Sequence, residues 1–368
     1  MLDKTYYPGL NELRALAVLS IIPGHIEQVK QIFTLPFSYW FPIPGKLGVI
    51  LFFVISGFLI TALLLKEKST TDDVHLKNFY AKRILRIWPL YFFIMGLSIL
   101  LINTVDIFQF PIYSSALYDK LDTTNIMLML LVMPNYMGVF IPYAAQTWSI
   151  GIEEQFYLIQ PFIIKLISQL WVLILFMLLI IFLKEILYTF TSIKNLEIVK
   201  IVRPWSIYFG TIAIGSLGAL VCYAYPNFVK NVIHNRVTQL ITFLTFIAFL
   251  IAIFTSHKED IIDFRLHALL FVIIVINAST NAKSLYNLNN KFLDFIGRIS
   301  YGMYIYHIIA IVMAIKLSTC LSDYFESDIV LFNISVYILS IILTIGISIL
   351  SYRYFEKWFL DLKRNFQT

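Results

Sequence analysis

The feature that most constrains this chain is a succession of apolar segments, each close to the length needed to cross a bilayer. A hydrocarbon core about 30 Å thick needs about 20 mainly apolar residues per helix. Such segments fall near 11–29, 47–65, 88–105, 124–140, 148–167, 170–183, 205–224, 238–256, 266–281, 297–315 and 329–352. Composition agrees: 59% of residues are hydrophobic, 14% are charged, and the mean hydropathy is +0.80. Soluble proteins average about 45–50% apolar and about 25% charged. These values exclude a disordered chain, a collagen-like fibre, a secreted disulfide scaffold and a nucleic-acid binder built on an exposed basic face. The expectation is an all-α polytopic membrane protein, with residues 1–368 forming a single membrane-embedded domain.

The weakest segment is 124–140, interrupted by Pro134, Asn135 and Gly138 and followed by Pro142. Broken backbone at membrane depth is tolerated only where protein or a cavity covers it, so a re-entrant segment is predicted there. Charge distribution supports this, because cytoplasmic loops carry an excess of Lys and Arg. Ten spans with both termini cytoplasmic put clearly more basic residues inside than outside, whereas a crossing at 124–140 would divide them almost evenly. The net charge of +6 is therefore read as topology. One loop, 184–204, runs against the trend, with four basic residues outside. The run from Leu13 to Ile26 contains Arg14 and His25 and no small-residue cleavage site follows, so it is read as a mature span rather than a signal peptide. Cys222 and Cys320 suggest neither a disulfide framework nor a metal site.

Ionisable residues inside spans cost about 2.5–3.5 kcal/mol even on the mildest insertion scale, which makes them functional candidates. Arg14 and His25 are eleven residues apart on one helix, hence on one face and about 16 Å apart along the axis. The competing view has Arg14 snorkelling to headgroups and His25 serving in packing. Between the second and third spans, HLKNFYAKRILRIWPLYF reads as a cytoplasmic amphipathic basic helix near 76–88. Its Arg83 and Arg86 are neighbours on a helix and suit phosphate, or else simply anionic lipid. In QTWSIGIEEQFYLIQP, Ser149, Glu153, Tyr157 and Gln160 form a polar stripe on one helix face, with Glu154 turned about 100° away. Glu153 can orient a histidine, hold a substrate, or pair with a buried cation such as Arg14. In GRISYGMYIYH, Ser300, Tyr304 and His307 share a face, either as a site or as a packing cluster. No Gly-rich phosphate loop, metal-ligand spacing or G-x-S-x-G elbow is present, and Ser56 in FVISGF is not proposed as a nucleophile.

Taken in order, these strings resemble acyltransferase family 3, the bacterial integral-membrane O-acyltransferases that modify surface polysaccharides. The resemblance rests on the R-x10-H of Arg14 and His25, on GVILFFVISGFLIT at 48–61, and on RILRIWPLY. It continues through WSIGIEEQFYLIQP at 148–161, GRISYGMYIYH at 297–307 and SYRYFEK at 351–357. Two positions depart from the family habit: Ile50 replaces an acidic or polar residue, and Trp358 replaces a proline. Some members carry a C-terminal extracytoplasmic hydrolase-like domain, and none is expected here.

The resemblance implies acyl-CoA, usually acetyl-CoA, as cytoplasmic donor, and a sugar or glycan hydroxyl across the bacterial inner membrane as acceptor. It assigns Arg83 and Arg86 to the coenzyme phosphates and Arg14 to the mouth where the pantetheine arm enters. His25 becomes the general base or, alternatively, a transient acyl carrier, with Glu153 tuning it or the acceptor. Trp148 and Tyr157 can stack on a sugar, and Ser149, Ser300, Tyr304 and His307 complete the expected acceptor site. No metal is implied, and membrane lipids are the other expected partners. The alternative from another class is a transporter or flippase for a lipid-linked saccharide, whose pathway the same polar residues would line. A membrane polysaccharide polymerase is disfavoured by the lack of a large outside loop.

Overall fold

The computed structural model describes residues 7–35, 45–104, 122–138, 141–189, 205–256, 263–286, 288–320 and 328–366. The helices are α1 (Leu10–Ile32), α2 (Gly45–Thr71), α3 (Leu76–Thr104), α4 (Thr123–Leu130), α5 (Trp148–Leu166), α6 (Leu170–Ile181) and α7 (Leu183–Thr189). They continue with α8 (Ser206–Ala224), α9 (Arg236–Ser256), α10 (Phe264–Thr280), α11 (Lys291–Arg298), α12 (Ser300–Cys320), α13 (Ile329–Ser351) and α14 (Lys357–Leu362). No strand occurs among the described residues. A helix closes its backbone hydrogen bonds within itself, which is what an apolar segment in lipid requires. Local signals fix the starts: the carboxylates of Asp122, Asp263 and Asp328 each accept from backbone N–H groups at the N-termini of α4, α10 and α13.

Each of the ten expected spans coincides with a helix. Among the described residues, six helices are long and apolar enough to cross a membrane, namely Gly45–Thr71, Leu76–Leu101, Ser206–Ala224, Arg236–Thr255, Ser300–Cys320 and Ile329–Phe366. α6 and α10 are apolar but shorter, while α1 and α5 carry charged residues within their length. The basic stretch 76–88 is helical, yet it is no separate element. α3 runs through Pro89 for 29 residues, about 43 Å, so its first turns exceed what a 30 Å core needs. Of the residues in the charge count, Lys4, Lys120, Lys194, Lys200, Arg203 and Lys258 lie outside the described residues, as does most of the 184–204 loop.

The chain divides into two compact units, each assembled from three separate stretches. The first comprises Met1–Ala17, Lys46–Leu76 and Ile152–Gly297. Within it α8 packs against α6 and α10, and the backbones of α2 and α8 touch. A Cβ placed on Gly57 would collide with the Ile212 carbonyl oxygen, and one on Gly215 with that of Val54. Small residues at such crossings let helices in lipid gain packing energy. At the C-terminal ends of α2 and α5, the Lys68 ammonium donates to the carbonyls of Ile164, Lys165 and Ile167 at 2.6, 3.1 and 2.9 Å. Lys165 in turn bonds Asp73 at 2.8 Å.

The second unit comprises Val18–Gly45, Lys77–Gly151 and Arg298–Thr368, in which α12 and α13 form the main helix pair. Their contact is tied at both ends, by Tyr306 to Ser351 at 3.1 Å and by Ser335 to Ser318 at 2.8 Å. The predicted re-entrant stretch belongs here. α4 has only eight residues, about 12 Å, too short to cross. Two residues past its end, Val132 takes a left-handed φ of 57°, and the chain turns back until the Gly138 N–H donates to Asn125 Oδ1 at 2.9 Å. Gly151 in α5 accommodates this turn, since a Cβ there would meet Asn135 Oδ1 at 2.5 Å and Pro134 Cδ at 2.9 Å.

Candidate active site

α1 carries His25, half-buried as a residue. In the same unit α12 presents His307, wholly buried. The rings lie 4.8 Å apart between centroids with planes tilted by 56°, and His307 Nε2 is 3.2 Å from His25 Nδ1. The other nitrogen of His307, Nδ1, lies 2.6 Å from the Tyr304 carbonyl oxygen. Two residues expected at the acceptor site touch each other: Ser149 Oγ and the Tyr304 hydroxyl are 2.8 Å apart and both are buried. The Tyr304 hydroxyl donates to the Gln146 carbonyl at 2.8 Å. Gln146 then donates through Nε2 to the carbonyls of Ile305 and Tyr143 at 2.6 and 3.0 Å. The result is a closed network that fixes the start of α5 against α12. Ser300 is buried at the start of α12, and Trp148 is partly exposed at the start of α5.

The stripe on α5 faces inward as its spacing predicts. Ser149, Tyr157 and Gln160 are buried, whereas Leu158, Ile159 and Phe162 on the other side are exposed. In the first unit Glu153 accepts from Ser56 at 2.9 Å and from Tyr157 at 3.3 Å. Gln160 donates to Thr61 and, at 3.0 Å, to Ser216. Arg14 donates to Asn11 Oδ1 at 3.2 Å, and Asn11 donates to Asp294 at 2.8 Å.

At the N-terminal end of α3, Arg83 stacks over the Phe79 ring at 5.7 Å. The charges of Lys82, Arg83 and Arg86 are all felt at Lys363, near the other end of the second unit's sequence. Lys363 thus lies within electrostatic reach of the three cations of α3. A buried carboxylate, Glu356, feels Arg86 and accepts from Ser351 at 3.0 Å. Such a cluster suits a polyphosphate, which offers several anionic oxygens to guanidinium forks and ammonium groups.

Several participants escape a reading by sequence. Ser56, Gln146 and Glu356 sit inside the strings FVISGF, QTWSIG and SYRYFEK, so their neighbourhood was marked although their partners were not. Lys363 carries no such signal. Lys30, assigned by its charge to an outside loop, lies within α1 and is fully buried. It is paired with Glu27 at 3.2 Å and Asn333 at 2.7 Å, while Tyr337 donates to Glu27 at 2.8 Å. No group of three or more metal-ligating side chains occurs among the described residues.

The helices and the ionisable side chains within them define a multi-pass, all-α membrane protein that keeps polar groups where only chemistry or ion pairing repays their insertion. The chain belongs to acyltransferase family 3, for the family model described as an acyltransferase domain matches residues 7–353. Among its relatives is a Staphylococcus aureus (strain COL) protein with the provisional name O-acetyltransferase SACOL0978, 31% identical over 95% of this chain and 57% of its own length. Another is O-acetyltransferase OatA of Staphylococcus aureus (strain NCTC 8325 / PS 47), 28% identical over 97% of this chain and 57% of its own. The chain thus spans little more than half the length of these curated relatives. No solved structure matches it with comparable significance.

Proposed function

We propose that this protein is a membrane O-acetyltransferase of the bacterial cytoplasmic membrane, moving an acetyl group from cytoplasmic acetyl-CoA to a hydroxyl of an extracytoplasmic sugar or glycan. Both termini lie in the cytoplasm in this reading. The family and the names of the relatives support the reaction class. The observation that carries the reading is the His25 and His307 pair: one imidazole nitrogen is engaged by a buried partner, and His25 itself is half-buried. That arrangement suits a general base.

Lys82, Arg83, Arg86 and Lys363 would bind the coenzyme phosphates at the inner surface. Arg14, three turns before His25 on α1, would stand where the pantetheine arm enters. His25 takes the proton of the acceptor hydroxyl as its oxygen attacks the thioester carbonyl. A C–O bond forms, the C–S bond breaks, and the coenzyme leaves as a thiolate that is then protonated. Glu153 would orient the acceptor through the hydrogen bonds it shares with Ser56 and Tyr157, and Trp148 and Tyr157 offer rings to a sugar.

The test is acetyl transfer from labelled acetyl-CoA by the purified protein, compared with His25→Ala. Loss of general-base catalysis typically costs about 10²–10⁴-fold in rate. Donor affinity should persist. A saccharide flippase would consume no thioester, so absence of acetyl-CoA turnover in the wild type would overturn the reading.

A further inference from the structure

The reacting nitrogen of His25 follows from hydrogen-bond bookkeeping. A carbonyl oxygen only accepts. Since His307 Nδ1 lies 2.6 Å from the Tyr304 carbonyl, that nitrogen must carry a hydrogen. His307 has no exposed surface, and its ring nitrogens meet the Tyr304 carbonyl and His25. A cation there would lack a counter-charge, a situation that proteins avoid by keeping the group neutral. A neutral imidazole with hydrogen on Nδ1 has a lone pair on Nε2. That lone pair faces His25 Nδ1 at 3.2 Å, so His25 Nδ1 must be the donor.

We infer that His307 is a positioning residue that holds His25 in the tautomer with hydrogen on Nδ1, leaving Nε2 as the nitrogen that takes the proton of the acceptor hydroxyl. The inference rests on the acyltransferase reading only for the role of that proton. The tautomer itself stands on geometry. When His25 Nε2 is protonated the ring becomes an imidazolium, and the Nδ1–H to His307 bond strengthens as a charge-assisted one. His307 therefore does for His25 what a carboxylate does in a hydrolytic triad, without placing a second formal charge in the membrane. The chain of dependence runs further: the Tyr304 carbonyl that fixes His307 belongs to the residue whose hydroxyl is locked by Gln146 and Ser149.

Two measurements test this. Nitrogen-15 spectra of histidine-labelled protein, with His25 assigned by its loss in His25→Ala, should show a protonated Nδ1 and a bare Nε2. A bare Nδ1 in His25 overturns the inference whether or not the protein transfers acetyl groups. In turnover, His307→Leu should lower kcat about 10²-fold or more while leaving KM for acetyl-CoA within about twofold. His307→Gln, whose amide oxygen can accept in place of Nε2, should recover at least a tenth of wild-type kcat. If Gln and Leu at 307 are equally impaired in folded protein, His307 acts through packing alone and the inference falls. If the wild type shows no acetyl transfer but the spectra show the expected tautomer, it is the acetyltransferase reading that falls.

Discussion

Lys68, at the end of α2, donates through its ammonium to the carbonyl of Ile164, near the end of α5, at 2.6 Å. These two helices therefore finish on the same side of the membrane. A cation at a helix C-terminus is the favourable pairing with its dipole and its unsatisfied carbonyls. The consequence is one of parity. With α3 and α5 each read as one crossing, a shared side for the ends of α2 and α5 leaves no odd crossing for the described stretch 122–138. The turn at Val132 and the return of Gly138 to Asn125 fit a segment that enters and leaves by the same face.

Cysteine labelling checks this topology. With Cys222 and Cys320 replaced by alanine, single cysteines at the exposed positions Ser69 and Ser168 should react from one and the same side, the cytoplasm. In protein retaining only native Cys320, which is exposed at the end of α12, labelling should occur from the opposite side. Reaction of the Ser69 and Ser168 positions from different sides would restore a crossing at 124–140.

Much of this was legible from the chain alone because bilayer thickness is a ruler and helical spacing is a compass. The stripe from Ser149 to Gln160 faces inward as its i, i+4, i+8, i+11 spacing requires. Partners across helices were not legible. Nothing in the sequence says that Ser56 meets Glu153, or that Lys363 joins the cations of α3. The pairing of His25 with His307 depends on the mutual rotation of α1 and α12, which packing sets. Lys30 shows the limit in the other direction: its charge argued for water, yet Glu27, Asn333 and Tyr337 supply a buried partner set.

The contact of α2 with α8 predicts sharp intolerance at two glycines. At Gly57 and Gly215 an added Cβ meets backbone rather than a movable side chain, so the helices must separate. Overpacking of this kind costs about 1–3 kcal/mol. Gly57→Ala and Gly215→Ala should each lower the unfolding temperature in detergent. Gly96→Ala, where nothing lies within 4 Å, serves as the control and should leave it unchanged or raise it. Equal behaviour of all three variants would deny the close crossing.

The cation cluster predicts graded loss of donor affinity. Charge-assisted hydrogen bonds contribute about 1.5–3 kcal/mol each. Arg83→Gln with Arg86→Gln should therefore weaken acetyl-CoA binding by two orders of magnitude or more, with normal membrane insertion. Lys363→Gln should weaken it less, since a single ammonium lacks the guanidinium fork. Dephospho-CoA, lacking the ribose phosphate, should lose less on mutation than CoA does if that phosphate is among those held. Calorimetry in detergent gives both numbers, and unchanged affinity in the double variant would remove the cluster from donor binding.

Acid should loosen the connection between α8 and α9. His234 lies in that connection, outside the spans, with Nε2 3.0 Å from Thr280 Oγ1, and burial lowers its pKa below the ordinary 6.5. The Thr280 hydroxyl already donates to the Ile276 carbonyl at 2.6 Å, so it accepts from a neutral His234. A histidine with a depressed folded-state pKa takes up its proton more readily when unfolded. Its contribution is therefore complete above pH 6.5 and is lost as pH falls from there through the folded-state value. Hydrogen exchange of residues 226–235, corrected for intrinsic rates, should be faster at pH 5.5 than at pH 7.5. His234→Gln, which keeps a donor but cannot titrate, should flatten that difference; a pH dependence that survives in His234→Gln would assign the effect to another group.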